Sequence, residues 1–476
     1  MEKLIGREHE RLLFQKYIAS NRCEFIAVYG RRRVGKTFLI RNVFQDTFDF
    51  YVTGFMEGSK KEELDVFHEA LRRYGYKGTK AKTWMEAFRQ LGTLLEQKAK
   101  TTQMPLVVFM DELPCFDTRN SKFVHALDYF WNSQASWIDR LKFVVCGSAT
   151  AWMIRNVIDN KGGLHNRVTH EIHLKPFDLY QTECYLQEHD FRWSRLSIMQ
   201  LYSIMGGIPY YLSLLDNDLE LQDNIDRLFF SEDAEMRKEF ARLFSSLYKQ
   251  PEGYVSIIKL LATTKKGLTR QEIAGKLKIA NNGHLTTMLD DLEYCDFIRR
   301  YNNGTMQNNG IYQLIDFYSQ FYHDFVKKRV TDHHYWRHLI GTPQENTWYG
   351  LAFERVCMAH IPQIIHKLRY DTIHTEYYSW RSKESSPAAQ IDLVIDRADG
   401  NVSICEMKYS QADYSFNKSE YNKMQNRINT FRTETNCRKG IQPVLITTYS
   451  LLKNEYSHIV NRVVVMDDLY TDIKEE

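Results

Sequence analysis

The sequence predicts an α/β protein: a parallel sheet covered by helices on both faces, then a helical lid, a winged helix–turn–helix and a second α/β domain. Three observations carry this reading. Four apolar β-type segments, Phe25–Tyr29, Phe48–Thr53, Leu106–Met110 and Phe143–Cys146, alternate with stretches of helical periodicity, the pattern of parallel strands buried on both sides. From about Asp178 to Tyr248 the apolar residues recur at helical spacing alone. Beyond Leu351 a helix precedes extended segments at Tyr377–Arg381, Ile391–Ile395 and Val402–Tyr409, two of them interrupted by acids. These shifts divide the chain at residues 1–177, 178–248, 249–325 and 326–476.

The composition agrees with several domains. A chain of 476 residues with 43% hydrophobic and 26% charged residues has material for more than one core. No apolar run is long enough to cross a membrane, and the opening Met1–Glu8 stretch lacks a secretory apolar core. The eight cysteines are scattered without a Cys-x-x-Cys pair. They read as reduced, packed thiols of a cytoplasmic protein, with no disulfide framework and no zinc site. A net charge of +3 is too small to argue for nucleic acid, so any basic surface has to be local.

The first strand runs into Gly30-Arg31-Arg32-Arg33-Val34-Gly35-Lys36-Thr37, followed by Phe38-Leu39-Ile40. Strand, Gly-x-x-x-x-Gly-Lys-Thr and helix in that order make a phosphate-binding loop. Its glycines let the backbone bend so that successive N–H groups face an anion, and the following helix adds its positive end. Lys36 is expected on the β- and γ-phosphates of ATP, and the Thr37 hydroxyl on Mg²⁺. Residues 30–38 are thus the expected nucleotide contacts. Arg31, Arg32 and Arg33 are placed either to neutralise phosphate or to contact another domain.

The third strand ends in Asp111-Glu112. Acids closing a buried strand are costly without work to do. Beside a phosphate loop Asp111 is expected to hold the magnesium and Glu112 to orient and polarise the attacking water. The fourth strand ends at Cys146-Gly147-Ser148, where Ser148 can sense the γ-phosphate or simply form a turn. Arg167, ahead of a strand-like Glu171–Leu174, is a candidate arginine finger.

Taken with Gly6-Arg7-Glu8, Pro176-Phe177 and Gly206-Gly207-Ile208-Pro209-Tyr210, this first half resembles the archaeal-type ATPase family, which lies close to the AAA+ and signalling NTPases. The resemblance implies that Gly6 and Arg7 frame the nucleotide, and that the Gly207–Pro209 turn of the lid approaches the adenine or phosphates. By spacing alone that turn is only a helix breaker.

In the middle, Thr269 with Glu272 forms a capping box. Asn281-Asn282-Gly283 leads into a helix with Leu285, Met288, Leu289 and Leu292 on one face. Phe297–Tyr301 and Ile311–Leu314 read as the wing. His284, Thr286 and Thr287 at that helix's start and Arg299 and Arg300 in the wing could meet DNA, while Asp290, Asp291 and Glu293 oppose it. An internal relay between domains is the other reading.

In the last part, Asp392 interrupts one apolar strand, Asp396–Asn401 reads as a turn, and Glu406-Met407-Lys408 closes the next strand. The period of two puts Glu406 and Lys408 on one face, and hairpin pairing brings Asp392 beside them. Two carboxylates and a lysine so placed suit a metal-assisted phosphodiester chemistry. This set resembles the PD-(D/E)XK nuclease fold, which implies Asp392 and Glu406 as metal ligands, Lys408 as catalytic lysine and Glu354 as accessory ligand. Ile391 stands where the motif's proline would be. On the helix that follows, Tyr421, Met424, Ile428 and Phe431 form an apolar stripe, with Lys423 and Arg427 on a basic face that is either solvated or phosphate-tracking.

Together these features predict a cytoplasmic ATPase, using ATP and Mg²⁺, coupled to a DNA-processing or defence-type nuclease-like domain. The alternative is a regulatory switch whose C-terminal domain binds nucleic acid or protein without cutting. DNA, a protein partner or a second copy of the chain are the partners left open, and a membrane is not among them.

Overall fold

The computed structural model describes residues 3–159, 162–164, 166–264, 267–301, 310–328, 330–382 and 387–473. It divides into two compact units, Met1–Pro176 with Leu243–Pro251, and Phe177–Arg242 with Glu252–Glu476.

The first unit is built on a five-stranded sheet: β1 (Glu24–Tyr29), β2 (Phe50–Thr53), β3 (Val107–Asp111), β4 (Lys142–Gly147) and β5 (His170–His173), in the order β2-β3-β4-β1-β5. Each neighbouring pair is parallel. The expected strands therefore form, shifted by a residue or two at their ends. Their Val-, Ile- and Phe-rich runs are apolar throughout because β1, β3 and β4 lie buried between layers. Phe25, Trp131, Phe143, Phe88 and Trp84 form the aromatic centre of that core. Parallel order puts every strand's carboxyl end on one side, so the loop after β1 and the acids ending β3 share an edge.

The second unit begins with the expected helices, including Leu179–Glu188 and Arg195–Met205. Helices Glu252–Ala262, Arg270–Leu277 and Gly283–Tyr294 then accompany a three-stranded sheet of β6 (Leu268–Thr269), β7 (Ile298–Tyr301) and β8 (Ile311–Leu314), ordered β6-β8-β7. The Thr269–Glu272 capping box is present, with Glu272 N–H donating to the Thr269 hydroxyl at 3.3 Å. The expected wing tip lies outside the described residues.

A second five-stranded sheet follows, of β9 (Thr375–Arg381), β10 (Gln390–Arg397), β11 (Asn401–Lys408), β12 (Gly440–Thr447) and β13 (Arg462–Val465), ordered β13-β12-β11-β10-β9. β9, β10 and β11 form an antiparallel meander, and β12 and β13 add in parallel. Residues 396 and 397, expected in the turn, instead continue β10, and 401 already belongs to β11. The Lys418–Thr435 helix crosses between β11 and β12, burying Met424 and Phe431 against Ile404, Val402 and Trp380. Among the described residues no helix is long and apolar enough to cross a membrane.

Candidate functional site

The nucleotide-type site sits at the carboxyl edge of the first sheet. Gly30 has φ +145°, and a Cβ there would meet the Leu174 carbonyl oxygen at 2.2 Å. Gly35 has φ +92° and caps the Lys36–Val43 helix, and Arg33 also has positive φ. The first glycine is demanded by close approach of β5's exit, the second by backbone conformation. Arg7, 4% exposed, braces this turn: its guanidinium donates to the Val34 carbonyl at 3.2 Å and the Lys175 carbonyl at 2.7 Å. Arg7 thus frames the loop through its backbone. Gly6 precedes it at positive φ.

Lys36 is buried, its ammonium donating to the carbonyls of Gly30 at 2.8 Å and Arg31 at 3.0 Å. Thr37 Oγ1 donates to Asp111 Oδ2 at 2.9 Å, so the two oxygens expected on magnesium are already neighbours. The other Asp111 oxygen accepts from the Glu112 N–H at 2.9 Å and from the Cys146 thiol. Burial raises the Asp111 pKa, with the Glu112 charge acting in the same direction, while the Cys146 and Thr37 donors work against both. Burial pushes the Cys146 thiol far up, keeping it a donor.

Glu112 stands at φ 48°. Ser148 clamps it: the hydroxyl lies 2.8 Å from both carboxylate oxygens, and the Ser148 N–H donates to Oε2 at 3.1 Å. The residue expected to sense phosphate is therefore the partner of the residue expected to orient water. Arg31 is buried, Arg32 and Arg33 half-buried, and Phe38 exposed on the next helix.

Arg167 is exposed and lies elsewhere. Two residues later the Thr169 N–H bonds to the Phe25 carbonyl, and His170 pairs with Ile26. Since β1 runs from Glu24 towards the loop, Arg167 lies by the amino edge of the sheet, away from its own phosphate loop. Gly207 and Pro209 belong to the second unit. Gly207 packs on the Pro176–Phe177 step: the Phe177 N–H donates to its carbonyl at 2.7 Å, and a Cβ on Gly207 would stand 1.9 Å from the Phe177 oxygen. Pro209 opens the Pro209–Leu212 helix.

In the second unit the β10–β11 ladder runs to the Leu393–Cys405 pair, next to an irregularity of β10 between Ile391 and Val394, and Asp392 there feels the charge of Glu406. Glu406, 4% exposed, takes Lys408 Nζ on one oxygen at 2.8 Å and Arg427 on the other at 2.9 Å. Arg427 was expected on a solvated or phosphate-tracking face; it turns inward because the helix carrying it packs on the sheet. Its Nε also donates to the Gln390 carbonyl at 2.8 Å, and Gln390 donates to Asp392 Oδ1 at 3.2 Å. Glu354 and Asp392 both have raised pKa values, by burial first and then by negative charge, that of Asp392 and Glu406 on Glu354 and that of Glu406 on Asp392. Burial opposes the Lys408 charge, yet Glu406 outweighs it and raises that pKa. These acids share a field, but among the described residues no three His, Cys, Asp or Glu side chains are gathered closely enough to hold a metal ion.

Arg299 lies on β7. Its guanidinium bonds Gln313 Oε1 at 2.6 Å, and burial lowers its pKa to about 10 against the pull of Tyr301, Tyr377 and Asp392. Motif spacing gave Cys146 no role and put Arg427 on a basic face without pairing it to Glu406. The only sequence signal for Cys146 was its place at the end of a strand neighbouring β3.

The chain is similar to an uncharacterised protein of Methanocaldococcus jannaschii, MJECL04, at 24% identity over 330 residues, covering 68% of each chain. Similar solved structures include the Walker-type ATPase PABY2304 of Pyrococcus abyssi, at 17% identity and TM-score 0.44, covering 67% of this chain and 95% of that one. The RuvB Holliday junction branch migration motor of Thermotoga maritima follows at 11% identity and TM-score 0.33, covering 64% and 92%. Cdc6p of Pyrobaculum aerophilum stands at 14% and 0.32, covering 69% and 95%. Residues 4–215, which hold the phosphate loop and the paired acids, match the model of a family described as an ATPase domain predominantly from Archaea.

Proposed function

We propose that the first unit hydrolyses ATP and that its nucleotide state governs a nuclease-like, nucleic-acid-directed centre in the second. The observation that carries the first half is the unbroken chain of contacts from Lys36 through the loop to Thr37, Asp111, Glu112 and Ser148. The residues fit the nucleotide and its metal. The Lys36 ammonium is held in the loop by the Gly30 and Arg31 carbonyls, at the place where the motif puts a cation against phosphate oxygen. Thr37 and Asp111 present adjacent oxygens to a hard cation. Mg²⁺ bound there supplies charge neutralisation on the phosphates. Glu112 orients water, Ser148 fixes the Glu112 carboxylate, and the buried Cys146 thiol steadies Asp111. Arg167, lying by the amino edge of its own sheet, serves as a finger only for a neighbouring copy.

For the second half, Asp392, Glu406 and Glu354 within one electrostatic field, with Lys408 paired to Glu406, support a PD-(D/E)XK-like centre. The three helices with β6, β7 and β8 support a winged helix, and the burial of Arg299 against Gln313 favours relay over DNA contact. Full pairing of Glu406 with Lys408 and Arg427 favours a second reading, a switch that binds without cutting. ATP turnover with Lys36→Ala and Glu112→Gln tests the first half. Metal-dependent cleavage of plasmid, linear and single-stranded DNA, with Asp392→Ala as control, tests the second; no cleavage under any nucleotide condition leaves the switch.

A further inference from the structure

We infer that Arg427 is a guanidinium plug on the C-terminal carboxylate centre, and that this centre takes a divalent cation only after a nucleic-acid phosphodiester draws Arg427 away. The inference rests on the nuclease-like reading of Asp392, Glu406 and Lys408, and goes beyond it by naming what controls the site.

Both Glu406 oxygens are engaged, one by Lys408 at 2.8 Å and one by Arg427 at 2.9 Å. With Glu406 buried, a metal ion reaching it has to displace one of these cations. Lys408 sits two residues along the same strand and is tethered to it by the backbone. Arg427 comes from a different element, the Lys418–Thr435 helix, and is the one that can leave. In place, it spans the centre: Nε holds the Gln390 carbonyl at 2.8 Å, and the Gln390 side chain holds Asp392 at 3.2 Å. One guanidinium is therefore wired directly to one acid and through a single residue to the other. In this arrangement no three His, Cys, Asp or Glu side chains among the described residues gather as a metal site.

A guanidinium fork fits phosphate as well as carboxylate. The Arg427 side chain keeps 23% of its surface exposed, so a phosphodiester can reach it from solvent. Lys423, exposed about one turn earlier on the same helix, supplies a second cation for the same backbone. Phosphate on Arg427 frees a Glu406 oxygen for the cation. Linkage makes the effect reciprocal: whatever factor nucleic acid adds to metal affinity, metal adds to nucleic-acid affinity.

The test is Mn²⁺ binding to the full chain without nucleotide, followed by electron paramagnetic resonance, with and without a short DNA duplex. Asp392→Asn defines the signal belonging to this centre. The expected result is that duplex tightens Asp392-dependent Mn²⁺ binding about tenfold in the parent. Arg427→Gln should bind Mn²⁺ without duplex as tightly as the parent does with it. Arg427→Lys, which keeps charge but cannot span Glu406 and Gln390 together, should also gain duplex-free binding and guards against a folding defect in the first variant. If parent, Arg427→Gln and Arg427→Lys bind Mn²⁺ equally, with duplex adding nothing, the plug is wrong while the metal centre stands. If no chain shows Asp392-dependent Mn²⁺ under any condition, the nuclease-like reading itself fails and the plug with it.

Discussion

Glu112 illustrates how much of this molecule is decided one side chain at a time. Its positive φ turns the chain just after β3, and the Ser148 clamp then fixes its carboxylate against the end of β4. Replacing Glu112 by Gln should lower ATP turnover by about 10²–10⁴-fold with nucleotide binding retained, the usual scale for a lost general base. Ser148→Ala removes the hydroxyl and leaves only the N–H contact. Turnover should fall about tenfold with KM little changed, since orientation and not binding is lost. Unchanged turnover in steady-state kinetics would return Ser148 to a plain turn residue. Gly207→Ala tests a purely steric site: the added Cβ meets the Phe177 carbonyl, and denaturant titration should show a loss of about 3 kcal/mol. At this scale the sequence was legible wherever a motif fixes a residue type, as at Gly30, Lys36, Thr37 and Asp111. It gave Cys146 no role and Arg427 only a place on a basic face, because their partners are chosen by strand register and helix packing, and packing is not written in spacing.

Elements were readable when their ends carry chemistry. Thr269 and Glu272 announced a helix start, and the box is there. Asn417 and Glu420 form the same reciprocal pair at the start of the Lys418–Thr435 helix, with the Glu420 N–H donating to Asn417 Oδ1 at 3.0 Å. Asn417→Ala should cost about 1 kcal/mol of the second unit's stability, measurable as a lowered denaturation midpoint with an unchanged slope. The buried strands β1, β3 and β4 were visible as continuous apolar runs. β12 and β13 were missed because neither alternates. β12 is buried from Pro443 to Thr447 and β13 has only four residues, so neither carries a period to detect. The turn between β10 and β11 was drawn too wide for a related reason: Asp396 and Arg397 are polar yet still paired in the ladder with β9.

Within the second unit, distant segments are joined by groups no local pattern reveals. His360 accepts from the Leu179 N–H through Nε2 at 2.9 Å and donates from Nδ1 to the Val356 carbonyl at 2.7 Å. Both nitrogens are used by the neutral ring, and burial lowers its pKa to about 4. An unfolded histidine titrates near 6.5, so between those values the unfolded chain binds the proton more readily. The contribution is therefore whole above about pH 6.5 and is lost as pH falls towards 4, by up to about 3 kcal/mol. The unfolding free energy of the parent minus that of His360→Gln, measured between pH 7 and 4.5, should shrink on that course. A constant difference would mean His360 does not hold its proton off.

The sequence by itself determined a phosphate loop, the acids beside it, a parallel sheet to carry them and a second sheet in which Asp392, Glu406 and Lys408 interrupt buried strands. These are local facts: each follows from residue types at short spacing, where backbone geometry leaves few choices. The tertiary structure alone decided that Ser148 grips Glu112, that Arg167 lies away from its own phosphate loop, and that Arg427 closes on Glu406. Each of those joins residues brought together by strand order or helix docking, and such contacts depend on how whole elements pack, which no short stretch of chain encodes.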